Sequence, residues 1–342
     1  MPNDLPPDHR DLRGYAGRWP DLRWPNGARL AVSVVINFEE GAEQQVGDGD
    51  ARSEPMGEVI SVVPQGVRDQ GQEGIFGYGT RAGLWRMLHA LDETALPATI
   101  FFCGRAVERL PDLARETVAR GHEAAVHGWR WRPHADYATP EAEAADLDRC
   151  ITVIRDATGT APVGFFCRGG ESPWTRGLLR ARGFLYTANG FDDDLPYYDR
   201  AEGAPLLVLP YALDTNDMKF FHPNGFVRAR EMVDYVADAL EVLEEEAGRG
   251  HARLLNIGFH LRICGRPARF PAFRDILRLL AGRGDRIWVA RRDEIARAFL
   301  AAVPPRCQAA HDCRGAGQTL PTPHRRQPPT ILRDDQCRAL VT

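Results

Sequence analysis

Short apolar runs recur along the chain, separated by stretches with helical spacing. Leu30–Ile36 (LAVSVVI), Ala98–Cys103 (ATIFFC), His122–His127 (HEAAVH), Val163–Cys167 (VGFFC), Phe184–Ala188, Leu206–Pro210, Leu254–His260 (LLNIGFH) and Ile287–Ala290 read as strands. Between them the pattern widens to the helical period. Thr80 is placed to cap a helix carrying Leu84, Leu88 and Leu91 on one face. Further helices are predicted over Pro111–Arg120, stopped by Gly121, and from Thr139-Pro140, with proline in the first turn. Others run from Ser172-Pro173 to Gly183 and over Arg228–Ala247, Pro271–Ala281 and Arg292–Ala302. Glu39 to Gly79 is a long polar stretch, expected to be a functional or mobile loop.

Strands alternating with helices predict an α/β fold with a parallel sheet. Seven or eight such units favour a closed or nearly closed barrel. The predicted organisation is a surface lead-in over residues 1–28, one barrel domain over 29–303, and a Pro-, Arg- and Gln-rich tail over 304–342 that reads as disordered. The tail holds Cys307, His311, Cys313 and His324, but their spacing fits no common zinc module.

Composition narrows the partners. The 342 residues carry a formal net charge of −4 with both signs interspersed, so no basic stripe invites nucleic acid. No apolar stretch is long enough to span a membrane, and the polar, proline-bearing start shows no secretory signal. The seven cysteines are odd in number and lack CxxC spacing; Cys103, Cys150, Cys167 and Cys264 lie in or beside apolar runs. A reducing, cytoplasmic setting and a small-molecule substrate are therefore expected.

Polar groups gather where the predicted strands end. The first strand leads into Glu39 and Glu40; others end at His127, Arg168 and His260, with Arg262 two residues on, and one leads to Asp214, Asn216 and Asp217. In a parallel barrel these ends share one mouth, where barrel enzymes build their sites. Histidines there suit acid–base work or metal ligation. An arginine suits a carboxylate partner or a developing oxyanion. The Asp214–Asp217 string suits either a turn or the polar edge of a ligand, and Trp129, Trp131 and Trp174 suit either core or a pocket wall.

This pattern resembles the polysaccharide deacetylase (NodB homology) family, and within it the cofactor-independent, PuuE-type allantoinase branch. The likeness spans about Leu30 to Phe299. It rests on Asn37-Phe38-Glu39-Glu40-Gly41, on Gly77-Tyr78-Gly79-Thr80-Arg81-Ala82-Gly83, on Asp193-Asp194-Leu195-Pro196-Tyr197, on Pro210-Tyr211 through Asp214-Thr215-Asn216-Asp217-Met218, and on His260-Leu261-Arg262 with Gly265-Arg266-Pro267. The resemblance implies a distorted (β/α)7 TIM-like barrel that hydrolyses amide-type C–N bonds, assembled as a homo-oligomer, a tetramer in particular. It implies Glu39 as general base, Glu40 as metal ligand, His127 as part of a histidine pair completing the metal site, Arg168 as the third motif's arginine, and His260 as general acid. One departure stands out: four residues after His127, where the second histidine belongs, this chain has Trp131. His134 lies close by, but follows a proline. No cofactor is therefore expected, with a degenerate divalent (zinc) site at Glu40 and His127 the residual alternative.

The resulting expectation is hydrolysis of a small cyclic amide, allantoin to allantoate first. Glu39 or Glu40 would activate water, His260 would protonate the leaving nitrogen, and Arg168, Arg262 or His127 would hold the oxyanion. Trp131, Asp214, Asn216, Asp217 and Arg262 would contact substrate. The alternatives are N-deacetylation of a polysaccharide or oligosaccharide, opening of another cyclic imide or hydantoin, and a non-catalytic barrel that only binds a ligand.

Overall fold

A computed structural model describes residues 11–199 and 205–305. The tail residues Cys307, His311, Cys313 and His324 lie outside them. Strand β1 (Leu30–Phe38) is buried along its whole length, as its unbroken apolar run requires. After it come α1 (Gln70–Tyr78), a π-helical turn (Gly79–Gly83) and α2 (Leu84–Thr94) in one continuous run. Thr80, expected from the sequence as the cap, does not cap this run. Thr80 sits inside the π turn, and the true N-cap is Asp69, whose side chain accepts from the Gln72 N–H at 3.0 Å.

The alternation continues through β2 (Thr99–Phe102), α3 (Gly104–Arg109), α4 (Pro111–Ala119), β3 (Glu123–Val126), α5 (Pro140–Thr158), β4 (Gly164–Phe165) and α6 (Thr175–Ala181). Then follow β5 (Tyr186–Thr187), β6 (Tyr197–Tyr198), β7 (Leu207–Val208), α7 (Ala229–Gly248), β8 (Arg253–His260), α8 (Phe270–Ala281), β9 (Ile287–Val289) and α9 (Arg292–Ala302). Several strands are shorter than their apolar runs. Their backbones still continue the parallel pattern, as in Phe166 N–H to Val126 O at 2.9 Å and Ala188 N–H to Phe165 O at 2.7 Å.

The sheet order is β6-β7-β5-β4-β3-β2-β1-β8, with β9 also on β1. Every pairing is parallel except β6 with β7. This is the curled sheet of a distorted (β/α) barrel. Between β7 and β8 a parallel bridge joins Asn216 to Gly258. Buried Arg292 braces the same region, donating to Ser33 and Asn256 side chains and to the Leu209 and Pro210 carbonyls.

Two apolar clusters lie on the two faces. Helices pack on the face carrying Leu30, Val32, Val34, Ile36 and Phe38. The concave face carries Ala31, Val35, Phe101, Ala125 and Leu254. The lead-in is not merely a surface segment: Leu22 and Trp24 are buried in the concave cluster, and Trp24 Nε1 donates to the Arg29 and Arg253 carbonyls at 3.2 Å. Cys103, Cys150, Cys167 and Cys264 are buried free thiols. Among the described residues, no helix is long and apolar enough to cross a membrane.

Candidate active site

Strand alternation aims the site residues. Side chains two apart share a face. On β1 the concave set is Ala31, Ser33, Val35 and Asn37, so Glu39 continues into the mouth and Glu40 turns the other way. On β3 the set Glu123, Ala125 leads to His127. On β8 the set Leu254, Asn256, Gly258 leads to His260. The register sets Asn37 beside His260. Three polar residues from three strands therefore converge by parity alone.

Glu39 is the hub. Its Oε1 lies 3.1 Å from His127 Nε2 and 3.2 Å from His260 Nε2. Its Oε2 accepts from Arg262 Nη1 at 2.6 Å. Glu39, Glu40 and Arg262 are at most 1 % exposed, His127 2 % and His260 4 %. Burial alone would raise the Glu39 pKa. The Arg262 guanidinium and His260 outweigh it and hold the carboxyl well below the usual range. Arg262 itself lies over the Phe76 ring at 4.3 Å and the Trp131 ring at 4.8 Å.

His260 is held from behind by Asp217. Burial would lower its pKa, but the Glu39 and Asp217 carboxylates win and push it up to about 9. The imidazole is thus a cation near neutrality. Asn37 Nδ2 stands 3.3 Å from the same Nε2 and 3.2 Å from the Tyr211 hydroxyl. His127 is fixed differently. Its Nδ1 meets the Phe166 carbonyl at 3.0 Å, and its ring stacks on Phe166, which stacks in turn on Tyr211.

Glu40 turns away from the two histidines, although its Oε1 stays 3.9 Å from Arg262 Nη1. Its Oε2 accepts the Glu39 N–H at 3.0 Å, and Oε1 presses against Gly79, where a Cβ would come within 2.3 Å. Burial pushes its pKa up to about 7 against the opposing pull of Arg262.

The other expected residues divide. Asp217 belongs to the site but grips His260. Asn216 caps the turn that follows, its Oδ1 accepting from the Met218 N–H at 2.8 Å, and its Nδ2 donates to Tyr211 at 2.9 Å. Asp214 is exposed and accepts from the Tyr235 hydroxyl of α7 at 3.3 Å, so it stays outside the centre. Arg168 is not on Glu39 either. It pairs with buried Glu54 at 2.7 Å and lies 3.8 Å over Trp131. Its strand-end position puts it on the rim, and a carboxylate from the long loop captures it there. Arg262 takes the place beside Glu39. Asn37 and Tyr211 stand in the strings that carry the family resemblance but without a role of their own there, and Phe76 and Glu54 carry no such signal. Asn37 was readable by parity with Glu39, whereas the others needed the fold.

The family's metal does not fit these residues. A catalytic zinc is held by three protein ligands. His127 meets Glu39 rather than Glu40, so the degenerate pair is not assembled. Trp131 packs on Phe76 at 5.8 Å. His134 turns away, its Nδ1 held by Glu143 at 2.8 Å. Glu39's oxygens already face a guanidinium and two imidazoles. Among the described residues, no three or more His, Cys, Asp or Glu side chains are grouped to hold a metal ion.

A curled parallel sheet with a carboxylate–imidazole–guanidinium centre at its C-terminal mouth defines a hydrolase barrel. The comparisons agree. The family model described as polysaccharide deacetylase matches residues 74–183. A Schizosaccharomyces pombe protein named a polysaccharide deacetylase is 32% identical over 316 residues, 86% of this chain and 98% of that protein. Among solved structures, one named a polysaccharide deacetylase from Pseudomonas aeruginosa PAO1 is 39% identical, covering 87% of this chain and 99% of its own with a TM-score of 0.81. The crystal structure of Puue allantoinase is 38% identical, covering 89% of this chain and 100% of its own with a TM-score of 0.82. The chain belongs to the polysaccharide deacetylase family of hydrolases.

Proposed function

We propose that this protein opens a ring C–N bond in a small cyclic amide, with allantoin the foremost candidate. The observation that carries this reading is depth. The reacting groups are almost fully buried behind Phe76 and Trp131. A polymer needs an open groove over its reacting bond, whereas a small ureide can be enclosed. Likeness to Puue allantoinase over that protein's whole length supports the same choice.

The residues supply a balanced cycle. Glu39 takes a proton from water while the water oxygen bonds to the ring carbonyl carbon. The carbonyl electron pair moves onto its oxygen, where Arg262 receives it. Among the described residues the buried Arg262 Nε has no hydrogen-bond partner, which leaves it as a donor for this task. As the guanidinium turns to the oxyanion it releases Glu39, which strengthens an otherwise weak base. Collapse breaks the C–N bond, and His260 Nε2 gives its proton to the leaving nitrogen. Asn37 Nδ2 then donates to the bare Nε2. The proton on Glu39 returns across the 3.2 Å gap to His260, restoring both groups.

The test is a panel assay of the purified protein on allantoin, hydantoin, dihydrouracil, succinimide and chitooligosaccharides. Release of allantoate, with no acetate from the oligosaccharides, is the expected result. Acetate release with inert ureides would instead establish the deacetylase reading, which the name of the yeast relative favours.

A further inference from the structure

A centre this deeply buried admits substrate only if part of its wall moves. The structure points to one part. Between β1 and α1 the chain runs from Glu39 to Asp69 with no regular element except a 3-10 turn at Val46–Asp48. The stretch after that turn is tied to the strand exits by two sets of ion pairs, and to α1 by Gln72 Nε2 donating to the Val59 carbonyl at 2.8 Å. Glu54 Oε2 lies 2.7 Å from Arg168 Nη1 and Oε1 lies 3.2 Å from Nη2, a fork on the rim after β4. Glu58 pairs with Arg269 at 2.6 Å and Arg266 at 3.3 Å, in the segment after β8. The strap therefore reaches from the exit of β4 to the exit of β8, across the mouth. Its aliphatic residues face outward: Val59, Ile60 and Val62 are 66, 80 and 91 % exposed. A segment with little apolar packing opens at low local cost.

One contact path joins the strap to the chemistry. Glu54 holds Arg168; Arg168 lies 3.8 Å over one ring, Trp131; Arg262 lies 4.8 Å over the same ring; and Arg262 holds Glu39 at 2.6 Å. We propose that residues 51–68 are a lid and that Glu54 is its latch and a positioning residue. Its bond to Arg168 closes the mouth over substrate and seats Trp131 against Arg262. This rests on the proposed hydrolysis for its kinetic consequence, but not for the latch itself.

Glu54→Gln in the full-length protein keeps the shape and removes the charge. Backbone hydrogen exchange should accelerate about tenfold or more across 51–68 and stay unchanged in β1, β2 and β8. KM for the ring substrate should rise about tenfold, with kcat changed much less, because closure over bound substrate is what weakens. Arg168→Lys, which loses both the fork and the stacking, should show the same pattern. A merely structural role would lower the melting temperature and the active fraction without moving KM. Exchange across 51–68 equal to that of the unaltered protein overturns the latch whatever the substrate proves to be. Accelerated exchange with KM unchanged overturns the positioning role. Failure of every ring substrate removes the hydrolysis reading, and exchange alone then decides the latch.

Discussion

Asp217 grips His260 twice: Oδ1 accepts from Nδ1 at 2.6 Å, and Oδ2 accepts from the His260 backbone N–H at 2.9 Å. The same Oδ2 accepts from the Cys264 N–H at 3.2 Å, so one carboxylate sets both the imidazole and the turn that carries Arg262.

Asp217→Asn should therefore lower kcat by about 10²–10⁴, the range for a lost acid–base partner. It should also move the alkaline limb of the pH profile. In the unaltered protein His260 stays protonated until its pKa of about 9, and activity falls above that. Without Asp217 the limb shifts toward lower pH. The sign for stability follows from the raised pKa. The His260 contribution is fully present below 6.5 and is lost as pH rises through about 9. Urea midpoints measured from pH 6 to 10 should fall for the unaltered protein and change less for Asp217→Asn.

Arg262→Met should be damaging in two ways. It leaves the Glu39 carboxylate buried without its guanidinium, a loss of about 3–5 kcal/mol for a broken buried pair. It also removes the oxyanion donor, worth about 10²–10³ in kcat. Arg168→Met should leave kcat far closer to that of the unaltered protein, because Arg168 does not touch Glu39. Equal kcat losses in the two variants would refute this assignment of the two arginines.

This contrast shows how much the sequence made legible. Strand parity carries Glu39, His127 and His260 to one face, because a buried strand keeps its period of two to the last residue. Arg262 follows His260 closely enough to share its mouth. Arg168 has the same strand-end signal, yet its partner is Glu54, 114 residues away in a stretch without periodicity. Nothing local shows which carboxylate folds back onto which rim cation. The same loss explains α1: glycine-rich QGQEGIFGY lacks helical propensity and forms a helix because Phe76 is buried and Asp69 caps it. Trp24 stands between exposed Arg23 and Pro25, and it is distant partners, the Trp288 ring at 5.9 Å and the Arg253 carbonyl, that make it core.

Chelation should leave activity intact. The fourth residue after His127 is a tryptophan, His134 is committed to Glu143, and Glu40 is turned onto Gly79. Dialysis against EDTA, followed by metal analysis and assay, should show undiminished turnover. Loss of turnover restored by zinc would mean that the buried centre rearranges around an ion.

The glycines of the turn between α1 and α2 give the most local test of how the centre is held. Both Gly79 and Gly83 have ordinary helical angles, so alanine there gains helix propensity, up to about 1 kcal/mol. Their surroundings differ. At Gly79 an added Cβ would meet the Glu40 side chain, 2.3 Å from Oε1, and this side chain can rotate only by leaving its buried seat. At Gly83 it would stand 2.2 Å from the Leu261 carbonyl oxygen, which is backbone and cannot rotate away. The turn carrying Arg262 must then shift as a unit. Gly83→Ala should thus lower stability by about 1–3 kcal/mol, the usual range for overpacking, with a large loss of kcat. Gly79→Ala should cost less stability, because the atom met there belongs to a side chain, which can move, whereas at Gly83 it is backbone. Thermal melts and kcat on the same preparations check the order; a Gly83→Ala protein as active as the unaltered one would separate this close approach from the seating of Arg262.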